Sequence, residues 1–289
     1  MQHPLASLVT PGAATIEGNL VRSPQAVDRT VWDTLAVDNP THAVISSSDE
    51  AAAYEKSKAQ LAEIAAALTP TTILLDFGAG YGRLGKYLLP EHELGGYIVL
   101  DSSQEMLRLC KGWYDGNEAA ERTPLLLVHS DINATPLTDT SVDLVVVSAV
   151  FLHNHKSITA QAMGEIKRVL KPGGQLLVYS SFPRSRTLMG AQGVCYQGLL
   201  NLLGKPFKNG PVRYYSRREV ERLLDGFAEV TLVPHGFELL PKRLIFLPGP
   251  LDKLYRVAIA NPCNRLARAV VPTRLQPAFA AHFDVRARR

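Results

Sequence analysis

The segment Leu74-Leu75-Asp76-Phe77-Gly78-Ala79-Gly80-Tyr81-Gly82-Arg83-Leu84-Gly85 decides the fold. An apolar run reaches Phe77, glycines at every second position from 78 to 82 break it, and a helix-forming run starts at Arg83. This is a strand, a tight turn and a helix, the opening of a strand-helix-strand unit. Short apolar runs follow at 97–101, 125–129, 142–149 and 175–181, so that with 72–77 five strands are predicted. Between them the periodicity predicts helices near 83–89, 103–113 and 157–170, which makes the sheet parallel. Lys171-Pro172-Gly173-Gly174 ends the last helix, because proline cannot continue it and glycine takes the left-handed closing turn. Ser216 and Glu219 then form a capping box for a helix over 216–227. A sixth strand, AEVTLVPHG, comes next, and AHFDVRARR alternates as a closing edge strand.

Flanks and bulk properties complete this outline. Residues 1–48 are rich in Pro, Thr, Ser and Ala and predict a loose N-terminal arm that partly docks through a patch around Val31, Trp32 and Leu35. Ser48 caps a helix over 49–68 that Pro70 stops. Residues 49–289 then form one α/β domain with insertions at about 183–213 and 237–279. The 289 residues are 46% hydrophobic and 20% charged, as in compact globular chains, with a net charge of only +4 and no dense basic run. Lasting contact with nucleic acid is not expected. Three scattered cysteines suit reduced thiols, and nothing resembles a membrane span, so a cytoplasmic protein without stable membrane insertion is expected. The sequence carries no signal for oligomeric state.

Two cofactor classes fit a glycine turn after a first strand. Bare backbone at Gly78 and Gly80 lets a ligand approach closely, and Asp101 at the end of the second strand can accept from ribose hydroxyls; dinucleotides and S-adenosylmethionine both need this. Asp76 separates them, since a carboxylate at the strand tip repels a pyrophosphate and favours a cationic ligand without phosphate. Asp131, just past the third strand, can accept from the adenine amine. The bland alternatives are that Asp76 caps the following helix and that Gly82 and Gly85 serve packing only.

DFGAGYG, VLDSS, HSDINATPL, SVDLVVVSAVFLHNH and EIKRVLKPGGQLLV, in that order, resemble the motif succession of class I S-adenosylmethionine-dependent methyltransferases over about residues 71–181. The resemblance implies a Rossmann-like seven-stranded sheet with helices on both faces and an antiparallel last strand. It implies S-adenosylmethionine as cofactor, with contacts from Asp76, Gly78, Ala79, Gly80, Asp101, Ser102, Met106 and Ser148, and from Asp131 and Ile132 to adenine. Asp143 reads as a strand-entry residue.

Catalytic candidates cluster after the fourth strand. His153 and His155 stand where a base can take a hydroxyl proton, because imidazole titrates near working pH; His235, ending the sixth strand, is a third candidate. Each can instead hydrogen-bond a loop. Tyr214 and Tyr215 line an acceptor pocket or anchor the core. Two histidines without a carboxylate make no hard-cation site, so no metal is expected.

Absent signatures narrow the acceptor. Ser148-Ala149-Val150-Phe151 lacks the Asn/Asp-Pro-Pro-aromatic run of base-amine methylation and the Pro-Cys nucleophile of cytosine C5 methylation. A small-molecule acceptor is expected, methylated on a hydroxyl oxygen of a sugar, polyketide or other secondary metabolite. A nicotinamide-dependent oxidoreductase and a non-catalytic cofactor-binding protein are the alternatives. Both insertions leave from carboxyl ends of strands and are expected to roof the acceptor pocket as helical lids.

Overall fold

A computed structural model describes residues 3–24, 32–34, 50–204 and 212–289. Val31, Leu35, Ser48 and Phe207 lie outside the described residues. One nine-stranded mixed sheet organises the chain: β1 (Thr15–Glu17), β2 (Leu20–Arg22), β3 (Ile73–Phe77), β4 (Gly96–Asp101), β5 (Leu125–His129), β6 (Val142–Ser148), β7 (Leu170–Pro183), β8 (Ala228–Phe237) and β9 (Ala280–Arg288). Their spatial order is β1-β2-β5-β4-β3-β6-β7-β9-β8. The helices are α1 (Glu50–Ala65), α2 (Arg83–Leu88), α3 (Gln104–Tyr114), α4 (Glu118–Glu121), α5 (Lys156–Val169), α6 (Leu188–Leu202), α7 (Arg217–Leu223), α8 (Gly249–Tyr255) and α9 (Asn261–Val270).

The expected seven-strand frame is present, from β5 across to β8, and its central pairs are parallel. Two expectations are corrected. The arm contributes the hairpin β1-β2, and β2 pairs in parallel with β5, so the sheet gains two strands at that edge. Val21 is fully buried there. The C-terminal strand β9 is not an edge strand; it lies antiparallel between β7 and β8, and β8 forms the edge.

Alternation along the strands explains why the sheet is covered on both sides. Leu75, Phe77, Ile98, Leu100, Val145, Val147 and Val178 pack with Met163 and Ile166 of α5 and Val220 of α7. Their neighbours Leu74, Tyr97, Val99, Leu144, Val146 and Leu177 face α1, α2 and α3 through Leu61, Ile64, Leu84, Leu88 and Leu107. At ~25 cal/mol per Å² of apolar surface, these two layers are the main source of stability. The strand order reverses between β3 and β6, and ligands in such sheets sit beyond the carboxyl ends at that point. Among the described residues no helix is long and apolar enough to cross a membrane.

Candidate functional site

A cleft opens at that reversal. The space it encloses is about 710 Å³ with its open solvent mouth included. Gly78, Gly80, Asp101, Ser102, Met106, Asp131, Ile132, Ser148, Ala149, Val150, His153, Asn154 and Trp32 line it.

The glycine bend is tied to the tip of β4. Gly78 and Ala79 both donate from their backbone nitrogens to the Leu100 carbonyl, at 2.8 and 3.0 Å. Gly80 N donates to Asp101 Oδ2 at 2.8 Å, and Ser103 N to Oδ1 at 2.9 Å. Asp101 is thereby fixed, with lone pairs left over on both oxygens. Gly78 has φ +71°, and a Cβ there would stand 2.7 Å from Val150 Cγ2. No side chain fits between the bend and the β6 loop. That loop holds Ala149 at φ +56°, a left-handed conformation stored at the cleft wall.

The N-terminal arm supplies the remaining wall. Asp33 Oδ1 accepts from Ser103 Oγ at 2.5 Å and from Glu105 N at 3.3 Å, pinning the 32–34 turn on the positive end of α3. Trp32 is thereby placed edge-on against His153, with ring centroids 5.3 Å apart at 72°. Burial holds the His153 pKa below the ordinary imidazole value. The ring is therefore neutral at pH 7 and able to accept a proton.

Of the residues expected at a cofactor, Asp76 and Ala79 do not line the cleft. Asp76 shares a strand face with Leu74, is 2% exposed, and accepts from the Tyr97 hydroxyl at 2.8 Å. Burial pushes its carboxyl up to about 7, against the opposing pull of Tyr97 and Arg83. Gly85 is a packing glycine: a Cβ there would run into the Tyr97 ring. The carboxylates on the cleft wall are Asp101 and Asp131, and no Lys or Arg lines it among the described residues. Such a wall suits a phosphate-free cation and gives a pyrophosphate no counter-charge. It fits S-adenosylmethionine, with Met106 and Ile132 as apolar surface for a base.

The other candidates separate by position. His155 caps α5, its Nδ1 accepting from Ser157 N at 3.4 Å, and its ring is exposed away from the cleft lining. Tyr215 is a core anchor rather than a pocket residue: it is 1% exposed, meets Phe182 edge to face and donates to the Phe151 carbonyl at 3.2 Å. Tyr214 lies against Gly193 of α6. His235 on β8 stands 3.4 Å from the buried Asp284. No described residue of either insertion lines the cleft, so the expected roof is not found there; Trp32, Val150 and Asn154 occupy the wall instead. Among the described residues no group of His, Cys, Asp or Glu is arranged to hold a metal. Asp143 accepts from Ile73 N at 2.9 Å and pairs with Lys171, which is structural work.

Residues 75–178 match the family model described as a methyltransferase domain. The chain is 29% identical over 178 residues to demethylmenaquinone methyltransferase of Chlamydia pneumoniae, covering 60% of this chain and 74% of that one. It is 31% identical to a protein of Encephalitozoon cuniculi named as a methyltransferase, covering 54% of this chain and 68% of the relative. In structure it is similar to phosphoethanolamine N-methyltransferase 2 of Haemonchus contortus, with a TM-score of 0.56 at 16% identity over 89% of this chain and 58% of that one. The glycine bend, the carboxylate-walled cleft and these relatives agree: the chain belongs to the class I S-adenosylmethionine-dependent methyltransferases.

Proposed function

We propose that the protein methylates a hydroxyl oxygen of a small molecule, with His153 as the general base. The observation that carries this reading is a half-buried imidazole on the cleft wall, held below its ordinary pKa and covered by Trp32. S-adenosylmethionine supplies an electrophilic methyl group on a sulfonium. The protein's part is to align an acceptor with that group, exclude water and take the hydroxyl proton. Asp101 and the Gly78–Gly80 bend hold the nucleoside end, Asp131 and Ile132 the base, and His153 faces the acceptor side beyond Ser148 and Ala149.

A small acceptor is supported by the absent nucleic-acid signatures after β6. The Chlamydia relative, named for demethylmenaquinone, also acts on a small molecule. The class of acceptor is a hydroxyl-bearing sugar, polyketide or related secondary metabolite. A panel of such alcohols and phenols, each paired with its amine analogue, tests the reading with labelled donor and mass spectrometry. Label on the hydroxyl compounds and not on their amine partners is expected; the reverse preference overturns it.

A further inference from the structure

The two insertions differ from the rest of the molecule in both charge and exposure. Residues 183–213 and 237–279 hold twelve Lys and Arg against two carboxylates, a net of +10 in a chain whose total is +4. Both carboxylates, Glu238 and Asp252, are turned inward, 7% and 5% exposed. Asp252 is used internally, accepting from Leu244 N at 2.8 Å and facing Arg243 at 3.4 Å. Among the described residues the surface of these segments therefore offers cations and no exposed carboxylate. It is also apolar: fifteen of the eighteen exposed large hydrophobic side chains among the described residues lie here.

The segments form one cap. Gln192 of α6 donates to the Arg243 carbonyl at 2.5 Å and accepts from Ile245 N at 3.2 Å, and Tyr196 stacks edge-on against Phe246. A continuous helical run follows, α8 and α9 joined by one π-helical turn over Arg256–Ala260. Asn264 fixes its inner face by accepting from Leu239 N and Leu240 N, both at 2.9 Å. The outer face shows Leu254, Ile259, Leu266 and Val270, 49–71% exposed, interleaved with Lys253, Arg256, Arg265 and Arg268. Beside it α6 carries no charged residue, and Leu202 is 84% exposed.

We propose that this cap docks on an anionic lipid bilayer, with the 249–270 helix lying in the plane of the interface. Its leucines would enter the acyl boundary, and its arginines would meet headgroup phosphates, the arrangement such basic, apolar helices adopt at membranes. Charge selects this occupant. An isologous pairing with a second copy brings the arginine-rich face against itself, where like charges repel. A nucleic acid would use the arginines but leave the leucines in water. The cap follows β7 and β8, whose carboxyl ends share the cleft's side of the sheet, so docking faces that side toward the bilayer. The surface goes beyond methyl transfer and does not depend on which acceptor is used.

Flotation of the full chain with vesicles of phosphatidylcholine, alone or mixed with phosphatidylglycerol, tests this. Binding to the anionic vesicles only, weakened by salt, is expected. Removing Arg265 and Arg268 together (both to Ala) should reduce partitioning about 30-fold. Leu266→Asp with Val270→Asp should abolish it. S-adenosylhomocysteine titration of each variant reports folding separately, because the cleft shares none of these residues. Wild-type protein that stays off anionic vesicles overturns the proposal. So does unchanged binding in the aspartate variant, and so does a dimer that this variant dissolves while vesicles are ignored, which would assign the surface to a second copy.

Discussion

Trp32 stands edge-on against His153 with ring centroids 5.3 Å apart, although 121 positions separate them in the chain. The contact makes the N-terminal arm part of the cleft, and it removes water from the imidazole whose pKa burial depresses.

Trp32→Ala should rehydrate that ring. The neutral imidazole is the competent base, so kcat/KM rises with pH through the His153 pKa and is flat above it. With the pKa below 6.5 in the intact protein, the plateau is reached by neutral pH. Without the indole the acid limb should move up toward 6.5. An unmoved limb in the pH-rate profile would mean that Trp32 does not desolvate His153.

Gly78→Ala should damage folding and binding together. Left-handed backbone costs a non-glycine residue roughly 1–2 kcal/mol, and the new methyl meets Val150 at 2.7 Å. Thermal unfolding should show a loss of at least that size. Calorimetry should show S-adenosylhomocysteine bound more than about tenfold weaker, since the bend can no longer close on the nucleoside. Wild-type affinity in a stable variant would detach the bend from the cofactor.

Asp101→Ala removes the clamp on Gly80 N and Ser103 N as well as an acceptor for ribose hydroxyls. Hydrogen bonds to a charged group are each worth ~1.5–3 kcal/mol, so affinity for S-adenosylhomocysteine should fall by roughly 10- to 100-fold. Asp101→Asn keeps an acceptor and should fall less. Equal losses in both variants would point to charge alone.

Asp76→Asn should stabilise the protein at alkaline pH. Its carboxyl is raised from 3.8 to about 7, mainly by burial. A folded pKa above the unfolded one gives stability that is complete below 3.8, declines as pH rises and is gone above about 7; the full swing is of order 4 kcal/mol. Asparagine can still accept from the Tyr97 hydroxyl and never ionises. Its advantage in melting temperature should therefore grow between pH 5 and pH 8, and a constant difference would contradict the burial argument.

The parts of the site legible in the sequence are those set by local spacing. Gly78, Gly80, Asp101 and Asp131 follow strand ends, so their positions at the carboxyl edge come directly from the strand pattern. Asp76 was readable too, but on the other side: two residues from Leu74, it shares the face packed on α2 and α3, and so meets Tyr97 instead of the cleft. His155 precedes Lys156, where a helix begins, and caps it. Trp32 left no such trace, because its place depends on Asp33 reaching Ser103 across 70 positions. The hairpin β1-β2 is three residues per strand, too short for any period to show. Among the described residues neither insertion lines the cleft, for a different reason. Emergence at the correct end of the sheet does not direct a segment over the cleft, and the exposed leucines of the cap face outward.

The most direct measurement of the central claim is single-turnover methyl transfer from carbon-13-labelled donor to a hydroxyl acceptor, by wild type and His153→Ala, across pH. Wild type should place the label on oxygen with a rate that levels off by neutral pH, and the variant should be slower by about 10²–10⁴-fold with donor affinity intact. Label on nitrogen or carbon, or a variant that matches wild type at neutral pH, would contradict the account.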